Sequence, residues 1–419
     1  MSSAQIPLAG PQAFTPGRVL LAIGGVYIAQ GLVSAIAFRG APAIMRASGV
    51  PLDQIGLVSL LMIPWALKFA WAPAVERYRL PLGERTRSHL VILPGQILIV
   101  ALLAIAAFID PGRMPIATLA ALAIVALTSA TVDIACDGFA VEQLKNRLRG
   151  LGNSLQVGGS YVGYLIGGGL LLVLVHRGTW MTGMLAMAAI AAALTLPSLL
   201  VAKSAPTRAA TTAHRPSLSY ALGRREVRVG LLIVVIFQVG MRIGQAMISP
   251  FMIDRGFDLS ALGMIYGVGS TVASLAGTLL AGLALRRAKP DHVLLACLTI
   301  QAVLLALLAA LSAQSATGKD VLIVLVLLKN AAGAAGFVAL YTQMMGWSSL
   351  KQAGVDFTLF QCADAAVAAV SGVAAGLIAQ HLGYAACFAL ACGLSGFALL
   401  ATPYLLRALR LGMSATARE

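Results

Sequence analysis

Six ionisable side chains, Lys68, Asp133, Asp137, Arg242, Lys329 and Asp364, interrupt apolar runs that are otherwise long enough to cross a membrane. An ionisable group at that depth is expensive, which makes it a functional candidate by default. Three cations facing three acids would also balance as structural ion pairs between helices, and that reading stands beside the functional one. Asp133 and Asp137 are four residues apart and share one face of a helix. Two carboxylates so close in a low dielectric do not readily both ionise, which is the chemistry of a proton-binding site. Asp133, Asp137 and Asp364 are therefore the candidate proton-coupling residues. The plainer alternative puts Asp137 at a helix end, paired with Lys145 or Arg147.

A second pattern is a polar stripe, Gln238, Arg242, Gln245 and Ser249, at helical spacing on an apolar background. Arginine presents a fixed fork of donors, which suits an anionic or carbonyl-rich ligand. Alternatively, Arg242 simply neutralises Asp364 or Asp133. Other runs carry similar faces: Tyr27, Gln30 and Ser34; Asn153, Gln156, Ser160 and Tyr164; Gln361, Asp364 and Ser371. Trp65 lies one turn from Lys68. Tyr27, Gln30, Trp65, Lys68, Gln156, Tyr164, Gln238, Arg242, Lys329 and Gln361 are the candidate substrate-binding residues, expected to line a wet central cavity.

Such side chains need elements that carry them across a bilayer. Of the 419 residues 59% are hydrophobic and 11% charged, whereas a soluble protein has about 25% charged residues. Apolar runs fall at 18–39, 54–75, 89–109, 115–137, 151–175, 179–202, 229–253, 261–285, 292–313, 320–346, 354–380 and 382–406. Each approaches the ~20 residues a spanning helix needs, and none alternates as barrel strands do. The expected fold class is all-α and polytopic, with twelve transmembrane helices in two six-helix halves. Residues 1–202 would form the first half, 203–228 a basic cytoplasmic linker, and 229–419 the second half. That layout is shared by two-lobed secondary transporters. Gly159, Gly163 and Gly167, and likewise Gly263 and Gly267, recur every four residues, as stripes that let helix backbones approach.

The formal charge of +15 would suggest nucleic acid in a soluble protein. Sorted by loop, twenty-one of the 30 Lys and Arg residues fall on one side and six on the other, Arg39, Arg46 and Arg255 among the six. By the positive-inside rule both termini are cytoplasmic, nucleic acid is not a partner, and the excess charge faces lipid headgroups. No cleavable signal is expected, since residues 1–17 contain no Lys or Arg. The expected location is a bacterial inner membrane, with the chain acting as a monomer.

Enzymatic readings lack their chemistry. There is no Walker-type phosphate loop, nucleophile elbow or HExxH pair, so ATP hydrolysis and hydrolase activity are excluded. Cys136, Cys297, Cys362, Cys387 and Cys392 match no metal-ligand spacing and read as small core side chains. His89, His176, His214, His292 and His381 fall in loops or at span ends. No metal and no cofactor are expected, and neither a repeated channel filter nor a clustered nucleophile and base is present.

Three segments carry a family resemblance. Leu67 to Tyr78 (LKFAWAPAVERY) resembles the end of span two in the major facilitator branch that contains the AmpG muropeptide permeases and the acetyl-CoA transporters. Thr131 to Glu142 (TVDIACDGFAVE) resembles the span-four signature of that branch. Tyr341 to Thr358, continuing through Gln361, is similar to the RhtX/FptX siderophore importers, as is the compact length. The resemblance implies proton-coupled import of a siderophore, alone or iron-loaded, from periplasm to cytoplasm by alternating access. The alternative within the branch is an AmpG-type muropeptide permease; those tend to be longer, with extra helices. Where the usual facilitator motif after span two has Gly and Asp, this chain has Ala72-Pro73 and Glu76-Arg77. The resemblance makes Glu76 and Arg77 a candidate gating charge pair.

Overall fold

A chain crossing hydrocarbon must satisfy its backbone groups internally, and Leu-, Ala- and Gly-rich runs do so as helices. The computed structural model describes residues 14–79, 86–144, 146–202, 218–314, 318–348 and 353–416, with backbone alone at 141–142, 146–154, 353–354 and 410–416. It is helical throughout, with no strand among the described residues. Eleven stretches are long and apolar enough to cross a membrane. The first six are α1 (Pro16–Ala47), α2 (Leu52–Ala70), α3 (His89–Ala106), α4 (Pro115–Ala140), α5 (Leu155–Arg177) and α6 (Trp180–Val201). Then come α7 (Arg225–Asp254), α8 (Leu259–Arg287), α9 (Pro290–Ser312) and α10 (Lys319–Trp347). The last stretch, Val355–Leu409, spans 55 residues and breaks at Gly383, whose φ of 81° is a conformation that glycine adopts without strain. It forms two spans, α11 (355–382) and α12 (384–409), which makes twelve.

Two helices depart from the hydropathy pattern. Arg39 ends an apolar run but not its helix, because α1 continues through a π-helical turn, Ile36–Gly40, to Ala47. In α2 the turns at Leu57–Met62 and Lys68–Ala70 tighten to 3-10 geometry on either side of Pro64, which has no N–H to give the helix. Of the expected linker, residues 203–217 lie outside the described residues, and Leu218–Gly223 is a short helix leading into α7.

Glycine sets the close approaches. A side chain on Gly163 would run into the α1 backbone at Ile28 and Leu32, so α1 and α5 touch backbone to backbone. Gly169 of α5 faces Gly263 and Gly267 of α8, and Gly56 of α2 faces Gly372 and Gly376 of α11. These last two seams join the first six helices to the last six.

The apolar core shows where that junction is tight. One core unites Val26, Ile44 and Met187 with Phe251, Leu262 and Phe388; every residue the last six helices add to it lies toward the helix ends remote from the termini. A separate core, including Val227, Leu294, Leu340, Phe360 and Leu406, belongs to the last six alone and lies at their opposite ends. The two sets share an apolar core at the end far from the termini, while at the near end the last six helices hold a core of their own.

Candidate functional site

On α4 the carboxylates of Asp133 and Asp137 stack one turn apart. The Lys68 ammonium on α2 donates to Asp133 at 3.2 Å. Asp137 accepts instead from the Tyr27 hydroxyl on α1 at 2.9 Å and from the Gln156 amide on α5 at 3.4 Å. Lys145 and the Arg147 side chain, the alternative partners of Asp137, lie outside the described residues. Four helices thus converge on an acidic pair that one lysine neutralises in part. The Lys68 and Asp133 side chains keep 14% and 10% of their surface accessible. Ionisable groups at that depth face the bundle interior and not lipid, where they would be expensive.

The last six helices supply a matching cluster. The Arg242 Nε donates to Asp364 at 3.1 Å, and its NH2 group reaches both carboxylate oxygens at 2.7 and 2.6 Å. Of the two acids considered for Arg242, the structure pairs it with Asp364. The guanidinium also lies 5.2 Å from the centroid of Phe337. The Lys329 ammonium, 4% exposed as a residue, donates to Gln245 Oε1 at 2.8 Å. Ser249 donates to the Tyr266 hydroxyl at 2.9 Å. Three of the four stripe residues on α7 therefore make bonds to α8, α10 or α11.

The remaining expected residues divide. Tyr164 is half-buried and stacks on the Arg39 guanidinium at 4.8 Å. Gln361 sits beside the Tyr341 hydroxyl near Arg242 and Asp364. Trp65 lies in the α2–α11 seam, where its carbonyl faces the Cys362 thiol at 3.6 Å. Gln238 is fully buried, with neither polar atom hydrogen-bonded, and Gln30 has an unpartnered buried amide nitrogen. Neither of these two is tied into the polar clusters. Glu76 and Arg77 are not paired with each other: Glu76 binds Arg79 three residues on, at 3.0 Å from Nε, while Arg77 is exposed. Neighbouring residues on a helix point apart, whereas i and i+3 share a face. Arg79 is 1% exposed, hydrogen-bonds Ser88 at 3.2 Å and packs against Gly138.

Two features escaped the hydropathy reading. Arg39, assigned to an outer loop, lies inside between the rings of Tyr164 and Tyr266, at 4.8 and 5.7 Å, and donates to the Tyr266 carbonyl at 3.3 Å. Three π-helical turns, Ile36–Gly40, Leu165–Leu170 and Ile265–Gly269, come together around it. Such turns free backbone carbonyls and recur at functional positions. The signal available in sequence was the apolar segment Ala41–Met45, which continues the helix beyond Arg39. At the far end, Arg46 grips Asp254 through two bonds of 2.7 and 2.6 Å, and the Tyr384 hydroxyl donates to the same carboxylate at 2.7 Å. This ion pair ties α1 to α7.

Chemically, the interior offers fixed cationic forks, hydroxyls and amides, with an acidic pair on the opposite wall. Among the described residues no group of three or more His, Cys, Asp or Glu side chains could hold a metal ion.

A family model described as Major Facilitator Superfamily matches residues 19–327. The anhydromuropeptide permease of Escherichia coli (strain K12) is 30% identical over 279 residues, covering 64% of this chain and 55% of that protein. A putative transporter AmpG 4 of Rickettsia felis is 24% identical over 273 residues, covering 61% of this chain and 65% of that one. The chain thus spans less than two thirds of the length of either relative. Among solved structures, the POT family transporter PepTSo superposes with a TM-score of 0.71 at 9% identity, over 95% of this chain and 99% of that one. The nucleoside transporter NupG gives 0.68 at 14% identity, over 92% and 99%. At such identities the likeness is one of fold.

Proposed function

The chain belongs to the Major Facilitator Superfamily, and from that premise we propose that it is a secondary transporter moving an anionic, carbonyl-rich solute of the peptidoglycan-fragment class across a bacterial inner membrane. One observation carries the reading: each six-helix set holds its own mid-membrane ion pair, Lys68–Asp133 and Arg242–Asp364, both partly accessible on the interior. Charges kept at that depth, within two sets whose shared apolar core lies toward one end, fit a site reached by alternating access. The first half is then 1–202, the linker 203–228 and the second half 229–419. With both termini cytoplasmic, the near end opens to the cytoplasm and the fused end closes the periplasmic side. Asp133 and Asp137 supply the proton coupling, while Arg242, Lys329, Tyr27 and Gln156 contact solute.

The anhydromuropeptide permease relative favours muropeptides over the siderophores expected from the span-eleven resemblance. Siderophore import is the second reading, supported by the compact length of 419 residues and by the Tyr341–Thr358 segment. Uptake into inverted and right-side-out vesicles separates them. Labelled anhydromuropeptide should accumulate under an imposed proton gradient and should stop with an uncoupler. Accumulation of labelled iron-siderophore with none of the muropeptide would reverse the order, and accumulation of neither would remove both solutes.

A further inference from the structure

Three cations gather where α1, α7 and α10 approach one another, and they have one acid among them. Arg242 has Asp364 as its counter-charge. Lys329, which lies within electrostatic range of both Arg242 and Arg39, has only the neutral Gln245 oxygen. Arg39 has one backbone carbonyl and two aromatic faces. Among the described residues neither Arg39 nor Lys329 has a carboxylate within 4.0 Å. Holding two such cations together without a counter-charge is costly on both Coulombic and desolvation grounds.

The scaffold nevertheless keeps them there. Arg39 binds the Tyr266 carbonyl, Tyr266 binds Ser249, and Ser249 shares a face of α7 with Gln245, which binds Lys329. The circuit ties α1, α8, α7 and α10 into one wall. Arg39 stands eight residues from the end of α1 and Lys329 ten from the start of α10, about 12 and 15 Å from the fused end. The Lys68–Asp133 and Tyr27–Asp137 contacts lie nearer the open end.

We propose that Arg39 and Lys329 form an anion-binding site at the closed end of the interior, which takes a carboxylate. This deepens the transport reading and rests on it for the identity of the solute. The carboxylate belongs to the solute; a free inorganic or organic anion offers the same chemistry. Arg39 supplies guanidinium N–H donors beyond the one given to Tyr266. Lys329 supplies the ammonium protons that Gln245 leaves unused.

The test uses the full chain in nanodiscs with two probes. The first is anhydromuropeptide and its fully methyl-esterified form, titrated by calorimetry. Wild type should bind the free acid about tenfold to a hundredfold more tightly than the ester. R39Q and K329Q should each erase that ratio without weakening the ester, and R39K should restore part of it. Equal binding of acid and ester by wild type would overturn the site while leaving the transport reading intact. Equal loss of acid and ester binding in both variants, with the thermal transition unchanged, would also overturn it. The second probe is acetate or inorganic phosphate alone, read as thermal stabilisation. Stabilisation of wild type that is absent in K329Q supports the site even where muropeptide fails to bind, a result that would sink only the solute assignment. No stabilisation by either anion, together with no acid preference, refutes the site.

Discussion

The Arg242–Asp364 pair permits the sharpest prediction. In Asp364→Asn the guanidinium loses the counter-charge for three contacts of 3.1, 2.7 and 2.6 Å, at side chains 20% and 8% exposed. Removing one partner of a buried pair costs about 3–5 kcal/mol, because the other charge is left uncompensated. The residual access of Arg242 to water puts the expected loss at the lower bound, about 3 kcal/mol. With an unfolding entropy near 2.1 cal/mol/K per residue, a 419-residue chain should lose roughly 3–4 °C in its thermal midpoint. Arg242→Met should cost a similar amount, since it orphans Asp364. The double variant Arg242→Met with Asp364→Asn leaves no buried charge, so it should recover most of the loss and give a coupling of about 4–5 kcal/mol. The assay is thermal unfolding of the four proteins in one detergent, paired with vesicle uptake. Uptake should be abolished in all three variants, because stability and solute recognition separate here. Strictly additive losses, with coupling below about 0.5 kcal/mol, would refute a bonded pair in the resting protein.

Three further outcomes are expected. Asp137→Asn removes the carboxylate that, among the described residues, accepts from neutral donors, so uptake should stop responding to an imposed proton gradient while solute binding persists; an unchanged gradient response across pH 5–8 clears Asp137 of coupling (the window is about that of ordinary transport assays). Gly163→Val drives a branched side chain into the α1 backbone and should lower stability by about 1–3 kcal/mol or more, read from the thermal midpoint, whereas Gly158→Ala, with open space around its Cβ, should be neutral or gain up to about 1 kcal/mol. Equal effects at the two glycines would refute the α1–α5 contact. Asp254→Asn frees Arg46 and Tyr384 and should speed alkylation of a cysteine introduced at Val50, measured in a background without native cysteines; an unchanged rate would show that this ion pair does not hold the far end closed.

Much of the fold was legible because bilayer thickness dictates run length and because glycine period reports backbone contact. The stripe of Gly159, Gly163 and Gly167 does face α1, and the acids at 133 and 137 do stack on one face. What the pattern could not supply was partner choice across helices. Arg242 had two acids within its expected reach, and only the packing of α7 on α11 selects Asp364. Gln238 is on the same stripe as Arg242, yet one turn of α7 moves it from the polar cluster into a dry contact. Arg39 was misread for a physical reason: hydropathy treats a charge as a boundary, while a π-helical turn and two aromatic rings let the helix carry it inside. The Glu76–Arg79 pair shows the converse, a contact set by local helical spacing that the family motif had assigned to adjacent residues.

Where the charges are paired also constrains how the molecule can move. Lys68–Asp133 lies wholly within the first six helices and Arg242–Asp364 wholly within the last six. A rigid-body rotation of one set against the other leaves both pairs intact, so neither opposes the change of state. The contacts that must break lie at the fused end: Arg46 with Asp254, Arg39 with Tyr266, and the Gln380 side chain, which accepts from the Leu52 amide at 2.8 Å. Each is partly accessible to water, and an exposed ion pair is worth only about 0–1 kcal/mol, so the electrostatic part of the barrier is small. The larger resistance is the apolar core shared across that end, which includes Ile44, Phe251, Leu262 and Phe388. Separating it exposes apolar surface to the site, and the compensating contacts must form at the near end, where the last six helices already possess a core of their own. A solute that engages Arg39 on α1 and Lys329 on α10 would act directly on this balance, because its differential affinity for the two states is all it can contribute.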